Sequence, residues 1–219
     1  MSFLICTPMY GGQCTAAYFQ SCLNLKDGLR DAGVPHDWHV ITNESLIPRA
    51  RNEHARAFLE SEYEALLFID ADIEFTEEDV AKLWNMDQDV AVGCYPMKKP
   101  GAPYAAWRQG KLVELETLES MHGPFQVDYA GTGFMLIRRN VFERLRDEQE
   151  ETGFLEYETK DGKTAWNFFP IEVRNECLLS EDYCFCQNWT DLGGSIWMDP
   201  SVRLKHHGSY AYGDSGTVC

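Results

Sequence analysis

The most chemically loaded stretch of this chain is EALLFIDADIEF, residues 64–75, where an apolar run ends in two carboxylates one residue apart, Asp70 and Asp72. Residues 65–69 read as a buried strand. In an open α/β sheet, ligands bind in the crevice beyond the carboxyl ends of the parallel strands, and the strand delivers both acids there. Residues two apart in extended chain point the same way. Two such carboxylates repel unless a cation lies between them or one takes a proton. An incomplete set of hard oxygen ligands suits Mg²⁺ or Mn²⁺, with substrate phosphates filling the remaining positions. The plain alternative is a loop in which Asp72 starts the turn before a helix cap at Thr76.

Other groups carry weaker signals. The doublet His206-His207 stands after a strand-like VRL and before Gly208, a placement weighed against the reading of two surface histidines. Glu181-Asp182 follows Ser180 and by itself reads as a capped helix start, since acids in a first turn are favoured by the helix dipole. Gly131, Thr132 and Gly133 form a bend that lets backbone approach a ligand, or a simple strand bulge. Arg49 and Arg51 compete with a solvated-helix reading.

The elements that must position these groups are legible from pattern. Residues 3–6 form a first strand ended by Thr7-Pro8, 38–42 a second, 65–69 a third and 89–95 a fourth. Helices are expected over 15–32, 48–61 and 76–86, with Pro48 in a first turn and Thr76 as a cap. Strand and helix in alternation mark βαβ units and a parallel sheet. Farther on, 105–116 reads as a hairpin through Gln109-Gly110, and 125–139 as a strand broken by a glycine bend. Helices follow over 140–151 and 180–193, and residues 195–208 close with two short strands. The expected class is one α/β domain over residues 1–219, with a nucleotide-binding half (1–98) and a mixed-sheet half (99–219).

The totals narrow the function. A net charge of −16 opposes non-specific binding to nucleic acid or anionic membrane. The basic doublets Lys98-Lys99 and Arg138-Arg139 read as solvated surface. The eight cysteines show no C-x-x-C spacing, so no structural zinc site is expected. The start of the chain has no basic n-region and no window is long and apolar enough for a membrane span. A cytoplasmic protein with reduced thiols is the expectation.

Taken together, the motifs resemble GT-A-fold glycosyltransferases, family-2-like and of the small stand-alone viral or bacterial type. IDAD resembles their DxD motif, TPMYGG the first nucleotide loop, and PRARN the helix start facing the nucleotide-sugar. VDYAGTGFMLIRR is similar to the segment beside sugar and acceptor, LSEDYCFC to the motif of the catalytic base, and LKHHG to a C-terminal metal-ligand segment. The likeness spans nearly the whole chain, and its specificity lies in the order of the set.

The resemblance implies a metal-dependent transfer from a nucleoside-diphosphate sugar, UDP-linked by preference and GDP-linked as the alternative, to an acceptor hydroxyl. Mn²⁺ or Mg²⁺ would be held by Asp72, with Asp70 on the ribose or a metal-bound water, and His206 or else His207 as third ligand. Thr7, Pro8 and Tyr10 would border base and ribose, and Arg51 and Asn52 would reach diphosphate or sugar. Gly131, Thr132 and Gly133 would lie beside the ligand. Asp182, with Glu181 in reserve, would be the general base of an inverting transfer. The acceptor stays open across a glycan, a lipid-linked sugar, a small molecule, a protein and, disfavoured by charge, a modified nucleic-acid base. A nucleotidyltransferase-like enzyme is the first alternative, but the first loop has no basic residue before Lys26. A non-catalytic carbohydrate-binding module is the second. A dinucleotide or methyl-transfer domain would want G-x-G-x-x-G after the first strand, which is absent.

Overall fold

The structure, a computed structural model, describes residues 1–99, 101–152, 156–159, 161–208 and 211–212. In the first half, strands β1 (Phe3–Met9), β2 (His36–Thr42), β3 (Ala65–Ile69), β4 (Ile73–Glu74) and β5 (Val90–Cys94) alternate with helices α1 (Ala16–Asp31), α2 (Ile47–Leu59) and α3 (Glu77–Asn85). Local chemistry sets the helix starts. The Thr15 hydroxyl accepts from the Tyr18 amide at 3.1 Å, and Thr76 with Asp79 forms a reciprocal capping box at α3. β1 runs through Thr7-Pro8 to Met9 rather than stopping at Cys6. Past Cys6 only β2 pairs with it, and a strand tolerates proline where it has become an edge.

The second half supplies β6 (Ala106–Arg108), β7 (Lys111–Leu112), α4 (Leu115–Ser120), β8 (Phe125–Val127), β9 (Tyr129–Ala130), β10 (Phe134–Arg138) and α5 (Arg139–Thr152). The hairpin joining β6 to β7 turns at Gln109 (φ 52°) and Gly110 (φ 72°), the two positive φ values of a type I′ turn. It ends sooner than the pattern suggests, because Leu115 already begins α4. Four short strands, β11 (Glu156–Glu158), β12 (Thr164–Trp166), β13 (Glu172–Arg174) and β14 (Cys177–Leu179), lead into α6 (Glu181–Asp191). The chain continues through β15 (Ile196–Arg203), one long strand in place of a short one, β16 (Lys205–His207) and β17 (Ala211–Tyr212).

The main sheet has the order β2-β1-β3-β10-β5-β15-β8. β10 and β8 run antiparallel to their neighbours and the other five strands share one direction. β10 lies between β3 and β5, so the two halves of the chain share a single sheet. The period-2 alternation splits the core. Leu4, Cys6, Leu66, Phe68, Met135 and Ile137 meet α2, α5 and α6 through Phe58, Phe142 and Phe185. Phe3, Ile5, Leu67 and Leu136 meet α1 and α3 through Leu25, Val80 and Leu83. Phe169 stacks on Phe185 with ring centroids 4.7 Å apart, which seats α6 and therefore the Glu181-Asp182 pair at its first turn. Among the described residues, no helix is long and apolar enough to cross a membrane.

Candidate active site

The carboxyl ends of β1, β3 and β5, the start of α6 and the strand β16 border one cleft of about 630 Å³. Its walls include Pro8, Tyr10, Arg51, Asp70, Asp72, Tyr95, Lys98, Thr132, Glu181, Asp182, His206 and His207. Three distant segments clamp the backbone of the acidic tripeptide. The Asp70 amide donates to the Gly133 carbonyl at 2.9 Å, the Thr15 amide to the Ala71 carbonyl at 2.9 Å, and the His207 amide to the Asp72 carbonyl at 2.7 Å.

α2 delivers Arg51, which is 3% exposed. Its Nη2 donates to Asp70 Oδ1 at 3.0 Å, its Nε stands 3.7 Å from Glu181 Oε1, and the guanidinium lies 5.0 Å over the Phe68 ring. Arg51 Nε and Nη1 and the Thr132 hydroxyl are buried without hydrogen-bond partners. Buried orphan donors are costly, and at a cleft wall an anionic ligand is the natural group to satisfy them.

Asp72 pairs with the Lys98 ammonium through Oδ2, while Oδ1 lies 3.4 Å from His206 Nε2. Burial pushes the Asp72 carboxyl up, but its bonds with His206 and Lys98 outweigh that and hold it below its ordinary value. His206 Nδ1 is 2.9 Å from the Pro96 carbonyl. A carbonyl only accepts, so Nδ1 carries a proton, and this bond fixes the ring with Nε2 facing Asp72. The Tyr95 ring packs edge-on to His206 at 5.3 Å. His207 faces away from this pair, with Nε2 at 2.7 Å from Glu74 Oε2.

On the opposite wall both acids titrate in the other direction. Burial raises Glu181, helped by Asp182 and opposed by Arg51. Burial likewise raises Asp182, against bonds from Ser180 and Tyr183 that lower it. Asp182 Oδ1 accepts from the Ser180 hydroxyl and from the Tyr183 amide at 2.9 Å. Ser180 stands at the N-cap position, but its hydroxyl serves Asp182 instead of a helix amide. One carboxylate held ionised and another raised toward neutral pH is how a site divides charge binding from proton transfer.

Not every residue expected at the site reaches it. Thr7 is fully buried and its hydroxyl lies 2.6 Å from the Tyr18 hydroxyl. Asn52 turns inward, donating to Asn167 Oδ1 at 2.8 Å and accepting from the Phe169 amide at 3.0 Å. Gly131 and Gly133 lie behind Thr132, where Tyr95 leaves no room for a side chain. A Cβ on Gly131 would stand 2.2 Å from the Tyr95 hydroxyl, and one on Gly133 2.8 Å from the same ring. Among the described residues, Asp70, Asp72, His206 and His207 do not draw their ligand atoms into one close cluster. Asp72 goes with His206, Asp70 with Arg51, and His207 with Glu74. Lys98 and Tyr95 were overlooked as site residues. Both follow the end of a parallel strand, the same position that singled out Asp70.

Gly133→Ala tests this packing. The new methyl would press on Tyr95 and come 3.0 Å from Asp70 Oδ2. Overpacking of this kind costs about 1–3 kcal/mol, read as a lowered urea midpoint, and it displaces the Asp70 carboxylate.

A mostly parallel sheet flanked by smaller sheets, with an acid pair at the end of its third strand, defines a GT-A-like fold. Solved structures agree. A197 from STIV is similar over 98% of this chain and 91% of that one, at 18% identity and a TM-score of 0.61. The catalytic domain of Drosophila β1,4-galactosyltransferase 7, in complex with xylobiose, is similar over 94% of this chain and 71% of that one, at 13% identity and a TM-score of 0.50. No protein-family model matches the chain, and no curated protein does.

Proposed function

We propose that this protein is a divalent-metal-dependent glycosyltransferase that moves a sugar from a nucleoside diphosphate to an acceptor hydroxyl with inversion. The observation that carries the reading is the convergence, in one cleft of a GT-A-like fold, of Asp72 with His206 on one wall and Asp182 with Glu181 on the other. The buried Arg51 stands between Asp70 and Glu181.

Asp72 and His206 would hold Mn²⁺ or Mg²⁺, and their oxygen and nitrogen donors fit such an ion, with phosphate and water completing its shell. His206 is preferred over His207 because its Nδ1 proton is fixed by Pro96, which aims Nε2 at Asp72. When bound, the ion supplies Lewis-acid stabilisation of the leaving diphosphate. Arg51 and Thr132 bring unsatisfied donors to the same anionic group, and Lys98 adds a cation on a flexible stem. Tyr10, 74% exposed at the cleft mouth, is free to stack on a base, beside Pro8.

In the transfer the acceptor oxygen forms a bond to the anomeric carbon from the face opposite the diphosphate, and the bond from that carbon to the diphosphate oxygen breaks. Asp182 takes the acceptor proton. Glu181 is less suited, because Arg51 already engages it. The donor is a UDP-sugar by preference, and a cytoplasmic setting belongs to the same proposal.

The test is calorimetry and donor hydrolysis across UDP-, GDP- and dTDP-sugars, with and without Mn²⁺. One nucleotide should bind in a Mn²⁺-dependent way, and Asp72→Asn should weaken that binding by about 100-fold or more, the upper end of what even an outer partner of a metal site contributes. Absence of Mn²⁺-dependent binding for every nucleotide would overturn the reading.

A further inference from the structure

Behind the cleft, on the α2 side of the sheet, lies a second group of potential ligands that the reaction above does not use. Cys6 on β1 and His39 on β2 are register partners in the parallel ladder, and α2 lowers His54 onto them. One ligand atom from each of the three lies within 4.8 Å of the other two. The two imidazoles meet at right angles, with their Nδ1 atoms 2.9 Å apart. Cys6 and His54 are fully buried and His39 half-buried.

This arrangement is under-satisfied as it stands. Two neutral imidazoles facing through their Nδ1 atoms share one proton between them. His54 Nε2 is buried without a hydrogen bond of full geometry, although the Thr7 backbone lies near enough to act on the ring. Burial, together with His39 and Arg51, holds the His54 ring well below its ordinary value and therefore neutral, the form in which imidazole binds metals.

We infer that Cys6, His39 and His54 form a binding site for one zinc-type divalent ion, separate from the Asp72–His206 pair. A donor set of one sulfur and two nitrogens is borderline-soft and selects Zn²⁺ or Co²⁺ over Mg²⁺ and Mn²⁺. Binding releases the thiol proton and leaves both imidazoles neutral, so the ion and thiolate together carry a single positive charge. Arg51, whose charge acts on Cys6 and His54, is already balanced by Asp70 and Glu181, and Arg56, which acts on His39, pairs with Glu53 and Glu60. Cysteine spacing does not reveal the site because its ligands lie 33 and 15 residues apart. The ion would tie β1, β2 and α2 together directly behind Arg51.

This inference does not depend on sugar transfer, and its test needs no substrate. The purified chain is titrated with Co²⁺ alone and followed by absorption. A thiolate-to-cobalt charge-transfer band should saturate at one equivalent, and Zn²⁺ should displace it. Cys6→Ala should abolish the charge-transfer band, and His39→Ala should weaken Co²⁺ binding by about tenfold or more. Asp72→Asn should leave the band unchanged, which separates this site from the cleft. Circular dichroism checks each variant, and half-buried His39 provides the reading if Cys6→Ala does not fold. No thiolate band in the parent protein, or a band that survives Cys6→Ala, would overturn the inference.

Discussion

Asp182→Asn should lower kcat by about 10²–10⁴-fold, the usual contribution of a positioned general base, while Mn²⁺-dependent nucleotide binding stays within a few-fold of the parent. The substitution keeps the shape of the side chain and the acceptor oxygen for Ser180 and Tyr183, so the first turn of α6 should hold. What it removes is the group able to receive the acceptor proton. In the parent protein the pH profile should carry the same signature. Burial raises the Asp182 carboxyl above its ordinary value, and only the ionised form is a base. The acid limb of kcat should therefore lie above the ordinary aspartate range, with activity rising with pH through it. An equal loss of binding and turnover in Asp182→Asn would assign this residue to donor contact instead.

Arg51→Met should be the most destabilising single change in the site. The guanidinium is the buried counter-charge to Asp70 and Glu181, and its field reaches Asp182. Removing one partner of a buried ionic cluster costs about 3–5 kcal/mol because the remaining charges stay desolvated and unpaired. For a chain of this size that is a fall in Tm of roughly 6–20 °C. Asp70→Asn in the Arg51→Met background should recover part of it, the non-additivity expected of a shared network. The pH dependence has a definite sign. Glu181 and Asp182 are already raised in the folded state, and losing Arg51 raises them further. Groups with raised folded values stabilise the native state at low pH and lose that contribution as pH climbs through them. The deficit of Arg51→Met should thus shrink between pH 7 and pH 5. A deficit independent of pH would mean that packing over Phe68, not charge, is what Arg51 supplies.

How much of this was legible in the sequence follows from the range of the interactions involved. The third strand was readable to the residue because Ala65–Ile69 is continuously apolar and ends in a charge. The α3 start and the Gln109-Gly110 turn were readable because capping and positive φ are decided within four residues. The insertion of β10 between β3 and β5 was not, since no local signal says which strand a buried Phe-Met-Leu-Ile will join. Four strands between Glu156 and Leu179 went unread, each only three residues long and too short for a period. Lys98 looked like half of a solvated doublet, and its partner Asp72 is 26 residues away. Thr7 and Asn52 had the right neighbours but the wrong orientation: their partners Tyr18, Asn167 and Phe169 take them into the interior. The paired glycines around Thr132 were noticed for the right property, closeness of approach, yet the group that approaches is Tyr95.

The clamp on Asp70-Ala71-Asp72 also dictates when, during synthesis, the site comes into being. Its three backbone bonds come from Thr15, Gly133 and His207, so the early, middle and late parts of the chain must all be in place before the carboxylates are fixed. A nascent chain that has reached Cys94 can form β1, β2 and β3 but has neither the β10 strand that lies beside β3 nor the His206 ring. Long-range closures of this kind are slow, because chain entropy is spent before the contacts form. The two acids would therefore emerge from the ribosome as ordinary solvated side chains and become a site only once β10 lies beside β3 and β16 has docked on β4.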